Sequence, residues 1–134
     1  MIPSSAEGGC MCGAIRYVVQ GDPVVTLHCH CADCRKATGA AYSTWAVYPR
    51  GALAWRGREP RRVRFADRLR LSCPDCGSPL GMLPSEDAAI VVVAAGSLDH
   101  PEVLKPVCHA WIEDQLPWIE IGNQLPRYPK MMPG

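Results

Sequence analysis

The apolar and polar positions of this chain fall into short segments separated by turn residues. No long stretch carries the 3.6-residue repeat of an amphipathic helix. Ala14-Ile15-Arg16-Tyr17-Val18-Val19 is rich in β-branched and aromatic residues, reads as a strand, and is ended by Gly21-Asp22-Pro23. Residues 24–28 read as a second strand. Residues 32–38 suit a short helix stopped at Gly39. Residues 42–48 are again aromatic and β-branched, and Pro49 closes them. Residues 61–65 and 68–71 flank Ala66-Asp67, and arginine alternates with leucine in the second of them, as in a half-buried strand. The apolar run 89–95 predicts a central strand, and 109–112 and 118–121 complete the set. Thirteen prolines and twelve glycines punctuate these elements. Short strands at this spacing predict a mostly β fold of sandwich or barrel-like type.

At 134 residues the chain is expected to form a single domain (residues 1–134) with a core over about 8–128 and a loose tail at 129–134. The formal charge of +1 gives no global signal for nucleic acid or an anionic membrane. No apolar run approaches the roughly 20 residues that span a bilayer. The opening MIPSSAEGG lacks a basic start and an apolar stretch, so no secretory signal and a cytoplasmic location are expected.

Seven of the eight cysteines lie in three tight groups: Cys10-x-Cys12, Cys29-x-Cys31-x2-Cys34 and Cys73-x2-Cys76. In a reducing compartment such groups indicate metal ligation rather than disulfides. Pairing Cys31/Cys34 with Cys73/Cys76 would give a zinc-ribbon pattern, although the 38 intervening residues exceed the usual interval of roughly 15–20. Pairing Cys10/Cys12 with Cys73/Cys76 would instead close one four-sulfur site and leave Cys29, Cys31 and Cys34 as a three-ligand site, the arrangement of a zinc that does chemistry. Spacing alone leaves both open.

The chain resembles the GFA family, the glutathione-dependent formaldehyde-activating enzymes and their centromere protein V relatives. The resemblance is carried by Gly8-Gly9-Cys10-x-Cys12-Gly13-x-Ile15-Arg16-Tyr17, by Cys29-His30-Cys31-x2-Cys34-Arg35-Lys36-x2-Gly39-Ala40 and by Cys73-x2-Cys76-Gly77-Ser78-x-Leu80. Ala95-Gly96-Ser97-Leu98-Asp99, Pro106-x2-His109 and Trp118 follow in order. Ser72 departs from the pattern, standing where the family commonly has an aromatic residue. The resemblance implies a β-tent of short antiparallel strands with little helix. It implies a structural zinc on Cys10, Cys12, Cys73 and Cys76, and a second zinc, linked to activity, on Cys29, Cys31 and Cys34. It also implies glutathione as co-substrate, adding to formaldehyde to give S-hydroxymethylglutathione.

The chemistry of the ligands agrees with that expectation. Three thiolates over-neutralise Zn2+, which weakens it as an activator of water. Soft ligands favour a further soft ligand, and an incoming thiol binds as its thiolate. The expected chemistry is therefore thiolate attack on a carbon electrophile, with Cys29, Cys31 and Cys34 as the catalytic set. His28, His30, Cys108 and His109 are candidates for a fourth ligand, and His30 or His109 for moving a proton. A hydrogen-bonded strand histidine is the expectation for His109.

Arg56, Arg58, Arg61, Arg62, Arg64, Arg68 and Arg70 face only Glu59 and Asp67 nearby, and read first as the solvated faces of strands. Arg35 and Lys36 are the expected contacts for an anion near the second site. The tryptophans read as core, with Trp45 and Trp111 as possible pocket walls. The expected partner is a small thiol such as glutathione, with no nucleic acid and no membrane. The alternatives to a carbon–sulfur lyase are a zinc-stabilised binding module without catalysis and a thiol-based redox or metal-buffering protein.

Overall fold

A computed structural model describes residues 5–133; Met1 to Ser4 and Gly134, the end of the expected tail, lie outside the described residues. The strands are β1 (Ser5–Gly9), β2 (Ile15–Gln20) and β3 (Val25–Cys29), then the helix α1 (Ala32–Thr38). They continue with β4 (Ser43–Pro49), β5 (Leu53–Gly57), β6 (Arg61–Phe65), β7 (Arg68–Ser72), β8 (Pro79–Leu83), β9 (Ile90–Ala94) and β10 (His109–Ala110). Two sheets result: a three-stranded one in the order β1-β2-β5 and a seven-stranded one in the order β10-β3-β4-β9-β8-β7-β6. The mostly β fold is as expected. Every pairing is antiparallel except β10 with β3, which is parallel.

The main core lies between the sheets. Ile15, Tyr17 and Val19 alternate along β2 with period two and meet Ala46, Tyr48, Leu69, Leu71, Leu80, Val91 and Val93 of the larger sheet. Tyr17 packs edge-on against Trp55 with ring centroids 5.5 Å apart. Its hydroxyl lies 2.5 Å from Ser97 Oγ, so the buried phenol is satisfied. A second apolar cluster covers the other face of the larger sheet and gathers Leu27, Cys29, Trp45, Val92, Cys108 and Ala110 with Cys34 of α1. The larger sheet is thus covered on both sides over β3, β4 and β9. This explains why β9 reads as an uninterrupted apolar run rather than an alternation.

Sequence patterning found most of these elements and missed β1, β5 and β8, whose segments SAEGG, LAWRG and PLGML carry residues depleted in strands. The expected strand 118–121 does not form. Pro117 precedes it, the Ile119 amide turns back to the Leu116 carbonyl at 3.1 Å, and Trp118 is 69% exposed rather than core. The expected loose tail is tied down in part. Lys130 accepts a hydrogen bond from the Trp111 amide at 3.0 Å, and Met132 packs into the second cluster.

Gly8 shows how tightly the small sheet meets the rest. It bridges to Leu98, and a Cβ there would lie 2.5 Å from the Tyr17 ring and 2.6 Å from the Ser97 carbonyl oxygen. Gly96, one residue from that carbonyl, has open space around it. We expect Gly8→Ala to lower stability by about 1–3 kcal/mol through overpacking. Gly96→Ala should stay within about 0.5 kcal/mol of the wild type. The urea midpoint followed by tryptophan fluorescence measures both, and an unchanged midpoint for Gly8→Ala would show that the sheets are not in close contact there.

Candidate functional site

The four-sulfur group is built from two turns. Cys10 and Cys12 sit on the turn joining β1 to β2, where the Cys10 amide donates to the Ile15 carbonyl at 3.1 Å and Gly13 adopts φ 81°. Cys73 and Cys76 sit on the turn joining β7 to β8. There the Gly77 amide donates to the Cys73 carbonyl at 2.9 Å, with Gly77 at φ 78°. Both glycines occupy left-handed conformations that other residues adopt only with strain. The Met11 amide donates to Ser78 Oγ at 2.9 Å and ties one turn to the other. The four sulfurs all lie within 4.8 Å of one another, with Cys10–Cys12 at 3.6 Å and Cys12–Cys73 at 3.8 Å. Ligands about 2.3 Å from a tetrahedral zinc would be about 3.8 Å apart, so this set fits that ion. Amides of Ile15 (3.3 Å), Asp75 (3.4 Å) and Cys76 (3.5 Å) donate to its sulfurs, as suits thiolate ligands. The Ser78 hydroxyl and amide hold the Cys76 thiol down at about 5.

The three-sulfur group lies toward the other edge of the larger sheet, where β3 runs into α1. Cys29 ends β3, Cys31 is the N-cap of α1, and Cys34 is in the first turn of α1. The Cys34 amide donates to Cys31 Sγ at 3.3 Å, so a sulfur takes the capping role usually filled by an oxygen. The three sulfurs again lie within 4.8 Å of one another, with Cys29–Cys34 at 3.6 Å, so the triplet also has zinc-ligand spacing. Side-chain hydrogen bonds from Cys29 and Cys34 pull the Cys31 thiol well below the ordinary range, while Cys31 pushes Cys29 upward. Negative charge therefore gathers first on Cys31, the most exposed of the three. The helix is anchored around this group by Gly39 at its C-cap and by the Ala32 amide donating to Asp114 Oδ2 at 3.3 Å. An Asp33–Arg68 ion pair adds a third anchor.

No fourth His, Cys, Asp or Glu joins the triplet among the described residues. Cys108 shares its apolar cluster, but its sulfur sits 3.7 Å from Met132 Sδ. The histidines engage one another instead. His30 Nε2 is 2.9 Å from His109 Nδ1, and His109 Nε2 is 3.2 Å from Asn123 Oδ1. The Leu125 amide donates to the same Oδ1 at 3.1 Å, which fixes the orientation of the Asn123 amide. Oδ1 can only accept, so His109 Nε2 carries a proton, neutral His109 accepts at Nδ1, and His30 donates from Nε2. His28 stacks on His109 with centroids 4.7 Å apart and meets Thr44 Oγ1 at 2.8 Å. Burial lowers the pKa of all three rings, that of His30 to about 4, and keeps them neutral. His109 is therefore the hydrogen-bonded strand histidine that was expected. This network joins β3, β10 and the 123–125 turn. Neither Asn123 nor Thr44 carried any signal in the sequence.

The sequence expectation that the arginines are solvated strand faces holds for most of the cluster. Arg58 pairs with Asp75, Arg62 and Arg64 with Glu86 at 3.5 and 2.8 Å, and Arg68 with Asp33. Arg35 keeps a buried Nε–H without an acceptor, while Lys36 is exposed. Trp45 is buried beside the triplet, and Trp111 packs against the same cluster.

The fold and the paired sulfur groups define a small two-sheet protein with two candidate metal centres. A family model described as "Glutathione-dependent formaldehyde-activating enzyme" matches residues 5–114, and the chain belongs to that family. A Halomonas elongata protein provisionally named a glutathione-dependent formaldehyde-activating enzyme is 29% identical over 128 residues, covering 88% of this chain and 82% of its own. The fold is also similar to a crystal structure of a Rhodobacter sphaeroides protein (TM-score 0.58, 19% identity), covering 69% of this chain and 87% of that one.

Replacing His109 with leucine, which is close to it in volume, removes the acceptor for His30 Nε2–H. We expect a loss of about 1–3 kcal/mol, the cost of an unmet buried donor. Chemical denaturation of the reduced protein measures it, and a variant as stable as the wild type would show that the histidine chain does not support β3 and β10.

Proposed function

We propose that the protein is a zinc-dependent carbon–sulfur lyase/synthase that joins glutathione to formaldehyde or a related small carbonyl at Cys29, Cys31 and Cys34. The observation that carries this reading is the convergence of three sulfurs without a fourth protein ligand among the described residues, in a chain that belongs to this family. A zinc bound there would supply a soft centre with one position left for an incoming thiol, which coordination deprotonates.

Cys29, Cys31 and Cys34 would hold that ion, and their burial shapes the approach to it. Cys29 and Cys34, both buried, fix two sides of the site, and half-buried Cys31 faces the approach. The reaction forms a bond from the glutathione sulfur to the carbonyl carbon while the carbon–oxygen π bond opens to an alkoxide. The proton lost by the thiol balances the proton gained by the alkoxide. His30 and His109 are committed to each other and to Asn123, so that exchange is assigned to water at the exposed edge. The four-sulfur group has the closed set of a structural zinc and is assigned to holding the fold.

Cys31→Ser should condense glutathione and formaldehyde no faster than the uncatalysed mixture, while the wild type accelerates the reaction at least tenfold. Two-dimensional exchange NMR of the hemithioacetal methylene reads the rate. Equal rates for wild type and variant would leave a non-catalytic binding module as the better reading.

A further inference from the structure

The seven-stranded sheet presents one face to the triplet and α1, and that face extends beyond them. Leu69 and Leu71 of β7 point into the main core, so Arg68, Arg70 and Ser72 lie on the opposite face. That is the face of Trp45, whose neighbour across β3 is Leu27, two residues from Cys29 on the same side of the strand. Arg70 is half-buried there, its guanidinium carbon 5.8 Å from the centre of the Trp45 ring. Such stacking holds a guanidinium in place while leaving its edge free to bond.

Arg70 alone among the seven arginines of residues 56–70 is half-buried; Arg56 and Arg61, also without a carboxylate partner among the described residues, are exposed. Arg58, Arg62, Arg64 and Arg68 are each paired with a carboxylate, and Arg70 is paired with none among the described residues. Trp45, on which it stacks, belongs to the same apolar cluster as Cys29 and Cys34, with Cys31 packed against it. Two further donors in this region lack an acceptor. Trp45 is 5% exposed and its indole N–H is buried unmatched, and so is Nε–H of Arg35, the residue after Cys34. Buried donors are rarely left unmet unless a ligand, ion or water meets them. Three cationic or N–H groups without a carboxylate or carbonyl to satisfy them thus border the three sulfurs.

We propose that Arg70, stacked on Trp45, is a specificity-determining residue that pairs with a carboxylate of the incoming thiol, so that the triplet selects anionic thiols over neutral ones. This rests on the reading of the triplet as a thiol-binding centre. A forked guanidinium takes a carboxylate through two parallel hydrogen bonds, and its position beside the triplet suits a thiol whose charged end reaches a short distance along the sheet. The competing role for Arg70 is to offset the charge of the triplet itself, which would favour every thiol alike.

The test is calorimetric titration of the reduced, zinc-loaded full chain with glutathione and with its dimethyl ester, which keeps the thiol and removes both carboxylates. Wild-type protein should bind glutathione at least tenfold more tightly than the ester. Arg70→Gln should weaken glutathione at least tenfold and the ester less than twofold, and Arg70→Lys should fall between. Zinc content and far-UV circular dichroism verify that each variant is folded and loaded; if Arg70→Gln is not, the Arg70→Lys comparison decides alone. Equal weakening of both ligands would assign Arg70 to charge balance and overturn the proposal. So would unchanged binding of both, or no binding of glutathione by the wild type. A wild type that binds glutathione selectively yet does not condense it with formaldehyde would leave this selectivity standing and refute the proposed reaction instead.

Discussion

The constraint on which the architecture rests is the meeting of four sulfurs from two distant turns. Cys12 and Cys73 are 61 residues apart in sequence and 3.8 Å apart in space. One turn belongs to the three-stranded sheet and the other to the seven-stranded sheet, so the group joins the two layers at one end of the core. Four thiolates this close repel one another unless a cation lies between them, and the free energy of that ligation would add directly to folding. The hydrophobic core has the same connectivity, since Cys10 and Cys73 pack within it.

The second sulfur group is organised differently, and the difference is what allows it a chemical role. Its members come from a strand end and one short helix close together in the chain, so it closes no long loop. It sits on the outer face of the larger sheet, against a smaller cluster, with Cys31 partly exposed. The buried histidines behind it are hydrogen-bonded to each other and to Asn123, which keeps them out of the ligand set while fixing the strand that carries Cys29. Rigid support behind and an exposed sulfur in front is the arrangement expected where a ligand binds and leaves.

Much of this was legible in the sequence. Period-two and β-branched segments gave β2, β3, β4, β6, β7 and β9, and Gly39 marked the end of α1 to the residue. The cysteine spacing gave both sulfur groups but left their pairing open, because spacing along a chain does not say which turns meet. The missed strands share one physical cause. β1, β5 and β8 contain glycines that lie against neighbouring backbone: Gly8 on the Ser97 carbonyl, Gly57 on that of Ala14 and Gly81 on that of Val92. Close approach selected the residue there, and strand propensity did not. Residues 118–121 show the converse, an apolar segment with good propensity whose backbone turns back on itself, the Ile119 amide donating to the Leu116 carbonyl. Asn123 gains its role, and Arg70 the one proposed for it, only from tertiary placement, although the alternation of arginine with leucine in β7 did put Arg70 on the face away from the core.

The account stands on a division of sulfur into one closed and one open centre that load independently. Zinc content per chain, measured on reduced protein for the wild type, Cys34→Ser and Cys73→Ser, tests it most directly. The wild type should hold two ions. Cys34→Ser should hold one and keep the β-sheet spectrum, and Cys73→Ser should lose the fold. A folded Cys73→Ser variant, or a Cys34→Ser variant that loses both ions together, would contradict the division.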